Sequence, residues 1–280
     1  MTDQALDHAY SPSRWARNFD ASLERQAALG RRLRERHVPQ RLSYGSGAWE
    51  GINLFLPATG KPRSLMAFLH GGYWQELDAS ATDFMAADWL EAGWAFASVD
   101  YPLAPQASIE AMIEACRHAV AVLRHVLGEL NREASLHLGG HSAGAHLALM
   151  SCLGGKGLSG IDSLWLISGI YDLRPLVETY INEPLGLDHE RAERLSPLCQ
   201  PLAGLPPLHL VCGAFDPPAF HAQSEWLDEQ VRAARVPSRL TVLKDCDHFD
   251  ILERLGCMPG RSRDDPSANV SSWVEVGEQP

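Results

Sequence analysis

Gly140-His141-Ser142-Ala143-Gly144 sets one hydroxyl between two glycines, after the apolar run "SLHLGG" (135–140) and before an alanine- and leucine-rich one. G-x-S-x-G between a strand and a helix reads as a nucleophile elbow, a strained turn that presents Ser Oγ to an acyl carbon. Glycines at 140 and 144 relieve the crowding around a serine held that way. The competing reading is a plain turn of small residues, and the pentapeptide alone does not separate the two. Acyl transfer by serine needs three more parts: a base, an acid to orient it, and N–H donors for the oxyanion.

"HGGYW" at 70–74 follows another apolar run, 64–70. Glycines there let the backbone approach a substrate, so the N–H groups of Gly71, Gly72 and Tyr73 are candidate oxyanion donors, with that of Ala143. The bland reading is a glycine turn ending a strand. His70 reads as ordering this loop rather than as the base.

An elbow serine is followed in chain order by its acid and then its histidine. His146 lies one helical turn past Ser142, His189 in a long connection, His209 inside a strand and His221 on a helix. His248, in the loop "DCDHFDIL" after the last apolar run, is the base expected. Asp216, opening the loop "DPPAF" after "LHLVCGAF", is the preferred acid, and Asp172 is the alternative. Asp245, Asp247 and Asp250 lie too near His248 in the chain to reach Nδ1 without distorting the loop. Taken singly, any of these aspartates is equally a cap or loop residue.

These parts need a scaffold, and the apolar pattern predicts one. Short apolar runs at 41–45, 52–58, 64–70, 94–101, 135–140, 163–169, 208–214 and 239–245 read as strands, the later ones covered on both faces. Helices are expected over 13–37 (interrupted by Gly30), 78–92, 108–130, 143–153 and 219–234. Strand and helix alternating from residue 64 onward imply a doubly wound α/β sheet with right-handed crossovers. The connection 171–205 has the length of a lid or cap. Residues 258–280 read as a polar tail with Trp273 as an anchor. Nothing repeats, so a single domain over 1–280 is expected, with 1–40 as its N-terminal helical segment.

The net charge of −11 argues against nucleic acid or an anionic membrane as the main partner. Six scattered cysteines without a C-x-x-C pair read as reduced, buried thiols. Without an apolar leader or a membrane-length run, a soluble, cytoplasmic protein is expected.

"YSPSRW" (10–15), "HGGYWQ" (70–75), "GHSAGAHL" (140–147), "GIYDLRPLVETYIN" (169–182), "FDPPAFHAQS" (215–224) and "DHFDILERL" (247–255) together resemble the kynurenine formamidase (arylformamidase) family of α/β-hydrolases. HGG and G-x-S-x-G recur in many lipases and esterases; "YSPSRW" and the D-x-x-x-F-x-x-Q-S run are far more specific. The resemblance implies an α/β-hydrolase fold, an eight-stranded, mostly parallel sheet with helices on both faces and a helical lid. It implies Ser142 as nucleophile, Asp216 as acid, His248 as base and the HGG loop as oxyanion hole. The reaction implied is hydrolysis of N-formylkynurenine to kynurenine and formate in tryptophan catabolism, with no metal and no cofactor. The acyl pocket would be tight, because only hydrogen stands behind the formyl carbonyl. The leaving-group pocket would be aromatic, with Tyr73, Trp74 and Phe215 placed to contribute. The expected partner is a small aryl formamide or ester, and the chain is compatible with a homodimer. A carboxylesterase on small aryl or acyl esters is the nearest rival, and a non-catalytic binding protein of the same fold is the rival from another class.

Overall fold

The computed structural model describes residues 3–58 and 60–255. The expected tail, with Trp273, lies outside the described residues. The eight apolar runs become β1 (Gln40–Ser43), β2 (Gly51–Phe55), β3 (Ser64–Leu69), β4 (Ala95–Val99), β5 (Ser135–His141), β6 (Ser163–Ile167), β7 (Leu208–Gly213) and β8 (Ser238–Leu243). Between and before them run α1 (Gln4–Ala9), α2 (Phe19–Arg36), α3 (Ala86–Glu91), α4 (Ile109–Leu130), α5 (Ala143–Cys152), α6 (His189–Arg194) and α7 (Pro218–Ala233).

The strands form one sheet in the order β1-β2-β4-β3-β5-β6-β7-β8. Pairing is antiparallel across β1, β2 and β4, and parallel from β4 through β3 to β8. This is the eight-stranded, mostly parallel sheet expected. β3 shows why its strands look uniformly apolar. Leu65, Ala67 and Leu69 enter the core beneath α4, α5 and α7, while Met66 and Phe68 enter the opposite core beneath α2 and α3. The long crossover α4 buries Ile109, Met112, Ile113, Cys116, Ala119, Val120, Leu123 and Leu127 at three- and four-residue steps, the stripe that docks a helix on a sheet. Among the described residues no helix is long and apolar enough to cross a membrane.

Three expected elements differ. The helix predicted over 13–37 starts only at Phe19, after a single 3₁₀ turn at Pro12–Arg14. The Arg17 N–H donates to Asp247 Oδ2 at 2.9 Å, and the Asn18 side chain caps α2 through the N–H of Ala21. Gly30 does not interrupt α2; it is buried within the helix, facing Ser80 and Phe84. The helix predicted over 78–92 is two 3₁₀ turns leading into α3. Side chains compete for its backbone there: Asp78 takes the N–H of Ser80, Asp100 that of Ala79, and Thr82 donates to the Ala79 carbonyl. Finally, 171–205 is built from 3₁₀ turns and the short α6. Leu173, Leu176, Ile181 and Leu195 anchor it in the main core.

Candidate active site

Between the last residue of β5 and the first of α5 stands Ser142 alone, at φ 53° and ψ −118°. A β-carbon-bearing residue in that region costs about 1–3 kcal/mol and persists only when its surroundings enforce it. The Ser142 N–H donates to the Ile167 carbonyl at 2.8 Å, tying the turn to the end of β6, and the Ser142 carbonyl starts α5 by accepting from Ala145. The flanking glycines are required by backbone approach. A Cβ at Gly140 would sit 2.3 Å from the Gly144 carbonyl carbon, and one at Gly144 would sit 2.2 Å from the Leu69 carbonyl oxygen. No side chain can yield to relieve either clash. The geometry is that of an elbow rather than a permissive turn.

The HGG loop closes on that elbow. A Cβ at Gly71 would lie 3.3 Å from the Ser142 Cβ and 3.0 Å from His141 Nδ1. Gly72 (φ 96°), Tyr73 (φ 49°) and Trp74 (φ 62°) form a left-handed run, capped where the Gly72 carbonyl accepts from Gln75 and Glu76. The buried Tyr101 hydroxyl donates to the carbonyls of His70 (2.8 Å) and Gly71 (3.1 Å), and His70 Nδ1 donates to the latter at 2.9 Å. Fixing the Gly71 carbonyl fixes the trans peptide that follows, so the Gly72 N–H points the opposite way. Burial holds the His70 pKa below its ordinary value, as suits a residue that orders the loop. The Ala143 N–H opens α5, where the helix itself offers no acceptor.

The expected base and acid lie on the loops after β8 and β7. His248 Nδ1 lies 2.8 Å from Asp216 Oδ1, with both side chains buried. The second oxygen, Asp216 Oδ2, accepts from Ser168 Oγ (2.6 Å) and the Gly213 N–H (2.9 Å). Burial by itself would raise this carboxyl; the facing imidazole, Ser168 and Gly213 outweigh it and hold the pKa below the usual range. Asp172 has other work. Its carboxylate takes a bidentate grip from Arg174 at 2.9 and 2.7 Å and caps the Arg174 N–H. Asp247 and Asp250 organise the base loop: Asp247 accepts from the N–H groups of Phe249 and Asp250, and Asp250 from that of Asp247.

The expected aromatic lining divides. Tyr73 is half-buried and donates to the Tyr10 carbonyl at 2.5 Å. Phe215 is exposed, with the Arg17 guanidinium 4.9 Å over its ring. Trp74 points the other way. It is wholly buried edge-on against His146, 5.1 Å between centroids, so it supports the loop from beneath and offers no face to a ligand. Positive φ at residue 74 is what turns it inward.

Several residues bonded to this site have no role in the sequence reading, although Ser11 and Gln223 lie within the motifs that carry the resemblance. His141 Nε2 donates to the His248 carbonyl at 2.8 Å, and the two rings lie 4.6 Å apart. Its only hint is its place at the first variable position of the pentapeptide. Burial holds His141 neutral, its pKa lowered to about 3. Gln223 on α7 fills all four valences of its amide, accepting from the N–H groups of Tyr171 and Asp172 and donating to Tyr10 Oη and the Asp172 carbonyl. Ser11 meets the Tyr180 hydroxyl at 3.0 Å, and Arg17 binds Asp250 at 2.9 Å. Thus the segment 10–17 touches the HGG loop, the 171–205 connection and the base loop. A separate cleft of about 360 Å³, lined by Arg41, Trp49, Asn53 and Asp100 among others, shares none of these residues. Its one cation, Arg41, already pairs with Asp100.

The BD-FAE family model matches residues 52–164. Over 277 residues the chain is 32% identical to a kynurenine formamidase of Danio rerio, covering 91% of this chain and 92% of the relative. A crystal structure from Silicibacter sp., of a protein proposed to be a thioesterase, superposes with a TM-score of 0.77 at 30% identity, over 90% of this chain and 94% of that one. A Pyrobaculum calidifontis esterase gives a TM-score of 0.68 at 18% identity, over 89% and 90% of the two chains.

Proposed function

Because this chain belongs to the kynurenine formamidase family of α/β-hydrolases, we propose that it hydrolyses the formamide of N-formylkynurenine to kynurenine and formate. The observation that carries the reading is the buried His248–Asp216 pair, whose base is bonded through its own carbonyl to His141, the residue before Ser142. That bond brings loops from the far end of the sheet to the elbow.

In this reading Ser142 Oγ attacks the formyl carbon while His248 takes its proton. Asp216, bound at Nδ1, holds the tautomer in which Nε2 is free to accept and stabilises the imidazolium that forms. The tetrahedral oxyanion is received by the N–H groups of Ala143 and the HGG loop. His248 then hands the proton to the departing aryl amine, and the serine formate ester is released by water along the same path in reverse. The protein would act in tryptophan catabolism in the cytoplasm.

A second reading, hydrolysis of small aryl or acyl esters, is favoured by the likeness to an esterase fold. Rates on N-formylkynurenine, N-acetylkynurenine and phenyl acetate separate the two. One methyl forced into a pocket shaped for hydrogen costs about 1–3 kcal/mol, so the formyl amide is expected to lead the acetyl one by roughly 10- to 200-fold in kcat/KM. Activity confined to phenyl acetate would move the assignment to the esterase.

A further inference from the structure

We infer that His141 is a positioning residue for the base, setting the place of His248 through its backbone while Asp216 sets the angle of its ring. The inference rests on the serine-hydrolase reading above and adds a part to it. Three observations meet at this side chain. Its Nε2–H donates to the His248 carbonyl at 2.8 Å, its ring lies 4.6 Å from the His248 ring, and Gly71 approaches so closely that an added Cβ would stand 3.0 Å from Nδ1. A carbonyl can only accept, so the proton must sit on Nε2 of His141, and Nδ1 faces the HGG loop as a lone pair.

Residue 141 ends β5 in register with Ile167, on a strand paired on both sides within the sheet. The base loop lies outside the sheet. It leads into a short 3₁₀ turn and is held from the side of α2, where Arg17 donates to Asp247, the Gln26 amide donates to the Phe249 carbonyl, and Phe19 meets Phe249 edge-on at 4.6 Å. The ring of His248 is steered by Asp216 and packed edge-on by Phe220 at 4.8 Å, yet a ring pinned at one nitrogen can still translate with its backbone. The His141 bond removes that freedom by tying the base loop to the strand that delivers the nucleophile. An apolar side chain of equal size would fill the space and leave the base loop without its tie to β5. Displacements near 1 Å between reacting groups cost about 100-fold in rate.

Gln and Met at position 141 are matched in length and differ in the donor, so they isolate the bond from the packing. His141→Met is expected to lower kcat by about 10- to 100-fold while KM changes less than about threefold. Fluorophosphonate labelling of Ser142 should slow in parallel. His141→Gln, which keeps an N–H for the carbonyl, is expected to recover most of the loss, with both variants showing wild-type circular dichroism. Equal kcat for the Met and Gln variants, or a Met variant within twofold of wild type, would overturn the inference while leaving the serine assignment intact. Failure of the wild-type protein to label at Ser142 would remove both. If His141→Met does not fold, His141→Asn, whose amide is too short to span 2.8 Å to the same carbonyl, takes its place under the same criteria.

Discussion

Asp216 reaches His248 with one carboxylate oxygen, at 2.8 Å, and offers the other to Ser168 and the Gly213 N–H. Its plane is therefore set from two sides before the imidazole arrives. Asp216→Asn keeps the shape and removes the anion, and the amide N–H₂ favours the wrong tautomer of His248. Turnover is expected to fall by about 10³- to 10⁴-fold with little change in fold. Asp172→Asn, which disturbs only the Arg174 grip at a loop, should stay within about tenfold of wild type. Steady-state kinetics on both variants check the assignment, and a reversed order would move the acid to the end of β6.

Ser142→Ala removes the oxygen proposed to attack and nothing that packs against the core. Activity is expected to drop by several orders of magnitude, to the residue supplied by binding and the oxyanion donors, with thermal stability retained or raised because Ala carries no hydroxyl to desolvate. Retention of a tenth of wild-type kcat would return the turn to a merely structural role.

The elbow glycines predict a contrast in stability. At Gly144 a Cβ would fall 2.2 Å from the Leu69 carbonyl oxygen and 2.4 Å from that of His70, both backbone atoms of β3 and its loop. Gly144→Ala should cost at least about 3 kcal/mol or prevent folding. At Gly128, inside α4, a Cβ meets nothing within 4 Å. Gly128→Ala should gain about 0.5–1 kcal/mol from restricting the unfolded chain. Thermal melts of the two variants read the difference directly.

Burial also predicts acid sensitivity near neutral pH. His137, His146 and His209 have pKa values lowered to about 4, and His141 to about 3, against an ordinary 6.5, in each case chiefly by desolvation. The folded chain keeps them neutral, whereas the unfolded chain takes up protons below pH 6.5. More protons bound in the unfolded state means stability that rises with pH and is lost as pH falls from about 6.5 towards 4. Each such histidine contributes a slope of about 1.4 kcal/mol per pH unit, so unfolding by urea should become markedly easier between pH 6.5 and 5. His146→Gln, which can still donate to the Leu195 carbonyl now held at 2.7 Å, should reduce that slope by about one proton. A urea midpoint that is flat across this range would refute the account.

What the sequence by itself determined is local. Apolar runs covered on both faces dictate parallel strands, a small-residue pentapeptide between strand and helix dictates a tight turn, and chain order points to His248. These follow from side-chain periodicity and backbone sterics within a few residues, so they are legible without the fold. The choice between Asp216 and Asp172 was not of that kind. Both follow strands, and only the fold puts Arg174 on one and His248 on the other. The same holds for residues 13–17, read as the start of a helix until Asp247, 230 residues away, takes the N–H of Arg17. Trp74 looked like pocket lining and is core, because three consecutive left-handed residues turn the loop over. His141, given no role in the sequence reading, donates to the His248 carbonyl 107 positions away. Tertiary structure decided these through hydrogen bonds between residues distant in the chain, 32 positions apart for Asp216 and His248 and 230 for Arg17 and Asp247, or through the direction of a side chain. Both depend on where loops land in space, which no local pattern records.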